Sequence, residues 1–217
     1  MFQKHNTQKE NIEMKCKCGK NEAVWNEKLQ QFELCDECKD LLFYTMSPRY
    51  ITNIGFGDIY IDAFLDDFKK EFVDQLLKDT NTFTNNLFLT GNSNVGKTYL
   101  MSAIASYLMR RKSESMLELK YKNLIDMLND SYGTGDSFYP KYKPFCTCKY
   151  LFLDEIYPVT GADYNILYSI LNERMNRGVV TISASNYELS KLNGQIVTRL
   201  LANNGVHYEL SRKIWSK

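Results

Sequence analysis

Leu87-Phe88-Leu89-Thr90-Gly91-Asn92-Ser93-Asn94-Val95-Gly96-Lys97-Thr98 is the stretch that decides the fold. An apolar run leads into Gly91, and the last eight residues fit the pattern G-x-x-x-x-G-K-[ST]. Behind them, the spacing from Thr98 to Arg111 predicts a helix. Glycine lets the backbone curl so that its N–H groups point inward at phosphate oxygens, and a helix N-terminus adds favourable partial charge there. Lys97 is placed to reach the terminal phosphates and the Thr98 hydroxyl to ligate Mg2+. A glycine turn that merely joined a strand to a helix would need no lysine at that position. The octet Gly91, Asn92, Ser93, Asn94, Val95, Gly96, Lys97 and Thr98 is therefore the candidate cradle for a nucleoside triphosphate with magnesium.

Working outward, apolar runs alternate with helical patterns. Strands are expected from Leu87 to Thr90, Met116 to Tyr121, Tyr150 to Asp154, Val179 to Ala184 and Val206 to Leu210. Helices are expected from Asn123 to Asp130, from Asp163 to Arg177 and near Leu189 to Leu201. Upstream, Ile61, Phe64, Leu65, Phe68, Phe72, Leu76 and Leu77 fall at the spacing of one amphipathic helix. Strand and helix alternating in this way imply an α/β fold, a parallel sheet covered on both faces.

Tyr150-Leu151-Phe152-Leu153-Asp154-Glu155 ends in two carboxylates, which suits the strand beside the loop-bearing one, at its carboxyl edge. Asp154 would hold magnesium and Glu155 would polarise an attacking water. Two adjacent acids can also simply cap a turn. The run ending in Ser185-Asn186 places an amide where it could position that water, although Asn is equally a turn former.

The 217 residues suit one medium domain plus a small appendage. Lys and Arg number 27 against 26 Asp and Glu, so the whole chain makes no electrostatic case for wrapping nucleic acid. No apolar run approaches the roughly 20 residues needed to span a bilayer, and the start lacks a secretion signal, which points to the cytoplasm and no membrane partner. In a reducing compartment six cysteines favour metal over bridges. Cys16-x-Cys18 and Cys35-x-x-Cys38 offer four thiolates in two knuckles, the spacing of a structural Zn2+ site, with free thiols on a loose leader as the alternative. Cys146 and Cys148 have no second knuckle and read as ordinary thiols. The expected division is a leader over 1–15, a zinc module over 16–46 and the main domain over 47–217. Val24, Trp25, Phe32 and Leu34 suggest two short strands in the module, and Lys39 to Asp58 reads as a linker into the main domain. Between the Asn123 helix and the acidic strand, aromatic residues interleave with lysines, and Tyr139, Lys141 and Lys143 are candidates for contacting single-stranded DNA by stacking and phosphate pairing.

Taken together, Pro48-Arg49-Tyr50, GNSNVGKT, the LFLDE strand, the Asn172-Glu173-Arg174-Met175 helix end before TISASN, and QIVTRLL with GVHYELSRK resemble an AAA+ ATPase. More narrowly they resemble the DnaC/DnaI type of replicative-helicase loader, over roughly Pro48 to Arg212, a resemblance that a phage or mobile-element version of such a loader would also carry. The resemblance implies a P-loop AAA+ core with a five-stranded parallel sheet and no C-terminal helical lid, and ATP hydrolysed to ADP and phosphate. It gives Asn186 the place of the first sensor, Arg199 that of an arginine finger completing a neighbouring subunit's site, and Arg212 that of a second arginine. It also implies docking on a hexameric helicase through the zinc module, self-association with nucleotide, and loading onto single-stranded DNA. A transposition-helper ATPase of the IstB-like branch and a non-hydrolysing, nucleotide-locked adaptor are the rival readings.

Overall fold

The computed structural model describes residues 24–26, 31–33, 51–111, 115–124, 126, 139–158 and 161–216. The chain divides into two units, Met1–Met46 and Ser47–Lys217. In the first, β1 (Val24–Asn26) and β2 (Gln31–Glu33) pair antiparallel with Trp25 opposite Phe32. Cys16, Cys18, Cys35 and Cys38 lie outside the described residues.

The second unit is built on five strands: β3 (Leu87–Thr90), β4 (Met116–Lys120), β5 (Tyr150–Ile156), β6 (Val180–Ser185) and β7 (Val206–Glu209). Every neighbouring pair is parallel, in the order β4-β5-β6-β3-β7. β3 and β6 are buried at every position because they lie inside the sheet with helices on both faces. Helices α1 (Lys70–Asp79) and α2 (Lys97–Arg111) cover one face, and α3 (Tyr139–Thr147), α4 (Gly161–Arg177) and α5 (Gly194–Leu200) the other. Alternation along β5 feeds both cores. Tyr150 and Phe152 pack with Leu100, Met101 and Ile104 of α2, while Leu151 and Leu153 pack with Leu167, Ile170 and Leu171 of α4. Each such side chain, fully buried, contributes about 1.5–3 kcal/mol. Among the described residues no helix is long and apolar enough to cross a membrane.

Four expectations are corrected. The upstream amphipathic helix is broken: 3-10 turns at Asp58–Tyr60 and Leu65–Asp67 precede an extended Phe68, and only Lys70–Asp79 is α-helical. The physical reason is competition for the backbone. Lys69 N–H donates to the Ile214 carbonyl at 2.9 Å, Ser216 N–H to the Asp67 carbonyl at 3.1 Å, and Phe68 bridges Trp215, so the groups that would continue a helix are already taken.

The acidic strand β5 does not lie beside β3, because β6 and β7 occupy both edges of β3. The presumed linker is partly core: residues 51–54 are helical, and Ile51, Ile54 and Phe56 are buried. Lastly, Tyr139–Thr147 is helix rather than loop, with Pro140 in its first turn, where a missing N–H is harmless.

Candidate nucleotide site

β3 stops at Thr90, and the chain turns through Gly91 (φ 137°), Asn94 (φ 62°) and Gly96 (φ 102°) before α2 begins at Lys97. Both glycines are required by close approach as well as by φ. A Cβ on Gly91 would stand 2.5 Å from the Leu210 carbonyl oxygen, and one on Gly96 2.3 Å from Cζ2 of Trp215. The Lys97 ammonium donates to the carbonyls of Gly91 and Asn92, both at 2.8 Å, and so braces the loop across its own mouth. Burial lowers its pKa, and the nearby Asp154 carboxylate acts against that shift. A buried cation whose partners are two neutral carbonyls fits an incoming polyphosphate, which would supply full negative charge in exchange.

The Thr98 hydroxyl donates to Oδ2 of Asp154 at 2.6 Å, and Asp154 is 1 % exposed. Hydroxyl and carboxylate side by side form the oxygen donor set that a hard divalent cation takes. Burial raises the Asp154 pKa, while the bonds from Thr98 and from the Glu155 N–H favour its ionised form. β5 carries the two acids to this point through an irregularity: its pairing with β6 slips between Leu153 and Ile156, and Glu155 has φ 58°. The bulge buries Asp154 and turns Glu155 outward, where it meets the Lys120 ammonium at 3.4 Å.

One cleft of about 370 Å³ gathers these groups. Ser93, Asn94, Gly96, Lys97, Thr98, Asp154, Glu155 and Asn186 line it, so the phosphate loop, the acidic pair and the end of β6 converge although β3 and β5 are not adjacent. Tyr60, Tyr99 and Trp215 line it too. Those three aromatics were missed in the sequence, where the only signal was a tryptophan, one of two in the chain, close to its end.

A family model described as the AAA domain matches residues 84–208, more than half of the chain. The chain belongs to the AAA domain family. Solved structures share the fold: the DnaC helicase loader at 19 % identity, over 71 % of this chain and all of that one, TM-score 0.59, and DnaI at 22 %, over 72 % and 92 %, TM-score 0.59. AMPPCP-bound DnaA from Aquifex aeolicus aligns at 19 % identity over 65 % of this chain and 44 % of that one, TM-score 0.54. No curated protein matches the chain. The AAA domain is a P-loop NTPase fold, and its loop and acidic strand here carry every residue type that nucleotide with Mg2+ requires.

Other candidates sit elsewhere in the second unit. Arg199, on α5, lies with its guanidinium carbon 3.7 Å from the Tyr168 ring centroid. Nε donates to Asn172 at 3.2 Å, Nη1 to the Gln195 carbonyl at 3.0 Å, and Nη2 to the Tyr168 hydroxyl. Neither it nor the exposed Arg212, in the turn Arg212–Ile214, is among the described residues lining the cleft of this chain. Tyr139, Lys141 and Lys143 fall on α3, and Lys143 is exposed. Cys146 and Cys148 are buried free thiols. Burial pushes Cys146 up to about 12, which keeps it protonated and unreactive at neutral pH.

Proposed function

We propose that this protein is an ATP-hydrolysing loader that places a hexameric replicative helicase on single-stranded DNA. The observation that carries the reading is the convergence of Lys97, the Thr98–Asp154 pair at 2.6 Å, Glu155 and Asn186 on one cleft, in a chain with the fold of the DnaC helicase loader. Lys97 would exchange its two loop carbonyls for β- and γ-phosphate oxygens, and Thr98 and Asp154 would hold Mg2+, which when bound neutralises charge on the phosphates. Glu155 would orient a water against the γ-phosphorus and draw off its proton as the bond to the β-phosphate oxygen breaks, releasing ADP and phosphate. Asn186 would hold that water in line. Lys120 must first give up Glu155, a small cost for an exposed pair.

Arg199 acts across a subunit boundary, as an arginine finger in a neighbour's cleft, with Tyr168, Asn172 and the Gln195 carbonyl holding its guanidinium until then. Arg212 is proposed as a second arginine at the same boundary. The 16–46 segment, with zinc on Cys16, Cys18, Cys35 and Cys38, grips the helicase, and Tyr139, Lys141 and Lys143 meet the DNA.

Two measurements test the core of this reading. Lys97→Ala should reduce Mg2+-dependent ATP affinity by about a hundredfold, the loss of a charge-assisted contact to phosphate. Glu155→Gln should keep that affinity and lose hydrolysis by a similar factor. Intact protein should co-purify with the hexameric replicative helicase of its host; capture of a transposase instead would favour the transposition-helper reading. ATP affinity unaltered by Lys97→Ala would remove the basis of the proposal.

A further inference from the structure

The segment that follows β7 returns to the phosphate loop and meets it at both of its glycines. Leu210 donates its N–H to the Thr90 carbonyl at 2.7 Å, and its own carbonyl oxygen lies where a Cβ on Gly91 would come within 2.5 Å. Further on, the Trp215 indole donates from Nε1 to the Val95 carbonyl at 3.2 Å and lies flush against Gly96, where a Cβ would fall 2.3 Å from Cζ2. The same ring packs 4.8 Å from Phe68 and 5.0 Å from Tyr99, centroid to centroid. Its backbone neighbours are fastened as well. The Ile214 carbonyl accepts from Lys69 N–H at 2.9 Å, and Ser216 donates to the Asp67 carbonyl from N–H at 3.1 Å and from Oγ at 2.7 Å. Trp215 is thus held from outside the loop, by residues 67–69 and the first turn of α2, and gives its one N–H to the loop.

The loop has use for such a hold. Asn94 at φ 62° and Gly96 at φ 102° flank Val95, a backbone shape with little preference of its own. The Lys97 ammonium, which braces the loop on the carbonyls of Gly91 and Asn92, leaves them in the exchange for phosphate described above. The bond from Trp215 to Val95 is independent of that exchange. A trans peptide carries its C=O and N–H on opposite sides, so a donor fixed on the Val95 oxygen also fixes the direction of the Gly96 N–H, one of the amides of the phosphate cradle.

We propose that Trp215 is a positioning residue of the phosphate loop: by fixing the Val95–Gly96 peptide it sets the loop shape that binds a triphosphate, whatever nucleoside is attached. This rests on the phosphate-loop reading above. The ring holds the tail and the N–H holds the loop, so the two contributions can be separated.

The test uses the full chain with Trp25→Phe, which leaves Trp215 as the single tryptophan. Calorimetry measures the binding of ATP and of inorganic tripolyphosphate, each with Mg2+. Adding Trp215→Phe keeps a ring beside Phe68 and Tyr99 but removes the N–H. That chain should melt within about 4 °C of its parent and bind ATP and tripolyphosphate about fivefold more weakly, both by the same factor. In a second form, biosynthetic incorporation puts benzothienylalanine in place of Trp215, with sulfur where the indole has N–H and the ring shape unchanged. The same fivefold loss is expected there, and this form decides the matter if Trp215→Phe melts lower. Tripolyphosphate bound by the benzothienylalanine form within twofold of the parent means that the indole only packs, and overturns the proposal. A loss confined to ATP overturns it too, since the indole would then act on the nucleoside and not on the loop. A parent chain that binds neither ligand overturns the phosphate-loop reading and this inference together.

Discussion

Glu118 shows how a single residue near the cleft can set a pH dependence. It stands on β4, where its Oε2 would be 2.9 Å from a Cβ on Gly55, and it shares its surroundings with Asp154 and Glu155. Burial first and the Asp154 charge second push its pKa up to about 8 from an ordinary 4.5, and Lys120 offsets only part of this. Between those two values the folded protein keeps a proton that the unfolded chain has released, so stability falls as pH rises across the window. Glu118→Gln removes the titration. Its melting temperature, measured with chelator and without nucleotide, should exceed that of wild type by a larger margin at pH 8 than at pH 5; parallel profiles would show that the carboxyl ionises freely in the fold. Lys97, by contrast, has its pKa lowered by burial, and the free-energy cost of that burial is what a bound polyphosphate would recover.

Among the elements, α4 is locked to its surroundings by one cation. Arg174 is 1 % exposed and donates from Nε to Thr181 Oγ1 at 2.9 Å and from Nη1 to the carbonyls of Phe145 at 2.6 Å and Cys148 at 3.0 Å, while Nη2 serves the Val180 carbonyl. It therefore ties α4 to the end of α3 and the start of β6. Arg174→Ala strands those acceptors in the interior and should cost roughly 3 kcal/mol or more, read as a lower urea midpoint at unchanged slope. Arg174→Lys should recover little, because a single ammonium cannot span a fork of acceptors. Helix α3 carries a functional prediction as well: Tyr139, Lys141 and Lys143 together replaced by alanine should weaken single-strand binding and flatten its salt dependence, and unchanged binding would retire that role. The sequence made the phosphate loop and acidic strand legible because phosphate and metal chemistry prescribes residue type and spacing there. Periodicity told which way side chains face but not which strands are neighbours, so β6 between β5 and β3 was invisible. The helix drawn through Phe64 and Phe68 failed for a different reason, since the backbone partners of Asp67 and Lys69, Ser216 and Ile214, arrive from roughly 150 residues away. Trp215 had no pattern at all to announce it.

At the scale of the whole molecule, the chain is two units with a boundary between Met46 and Ser47. Among the described residues, those that line the cleft run from Tyr60 to Trp215, and both apolar cores of the second unit begin no earlier than Ile51. A variant lacking residues 1–46 should therefore fold and bind Mg2+-ATP as the intact chain does. If the cysteines of the first unit hold zinc and the helicase, the same truncation should remove one equivalent of zinc per chain and abolish helicase capture, and Cys35→Ser with Cys38→Ser in the full chain should do likewise. The two readouts separate the units: lost ATP binding in the truncated chain would show that the first unit supports the cleft, and retained helicase capture would move the docking surface onto the AAA domain. The near balance of charge, 27 basic against 26 acidic residues, makes that separation sharper. With so little net field to draw a partner in, helicase binding that survives high salt in the intact chain and vanishes on truncation must come from apolar contacts of the first unit rather than long-range attraction.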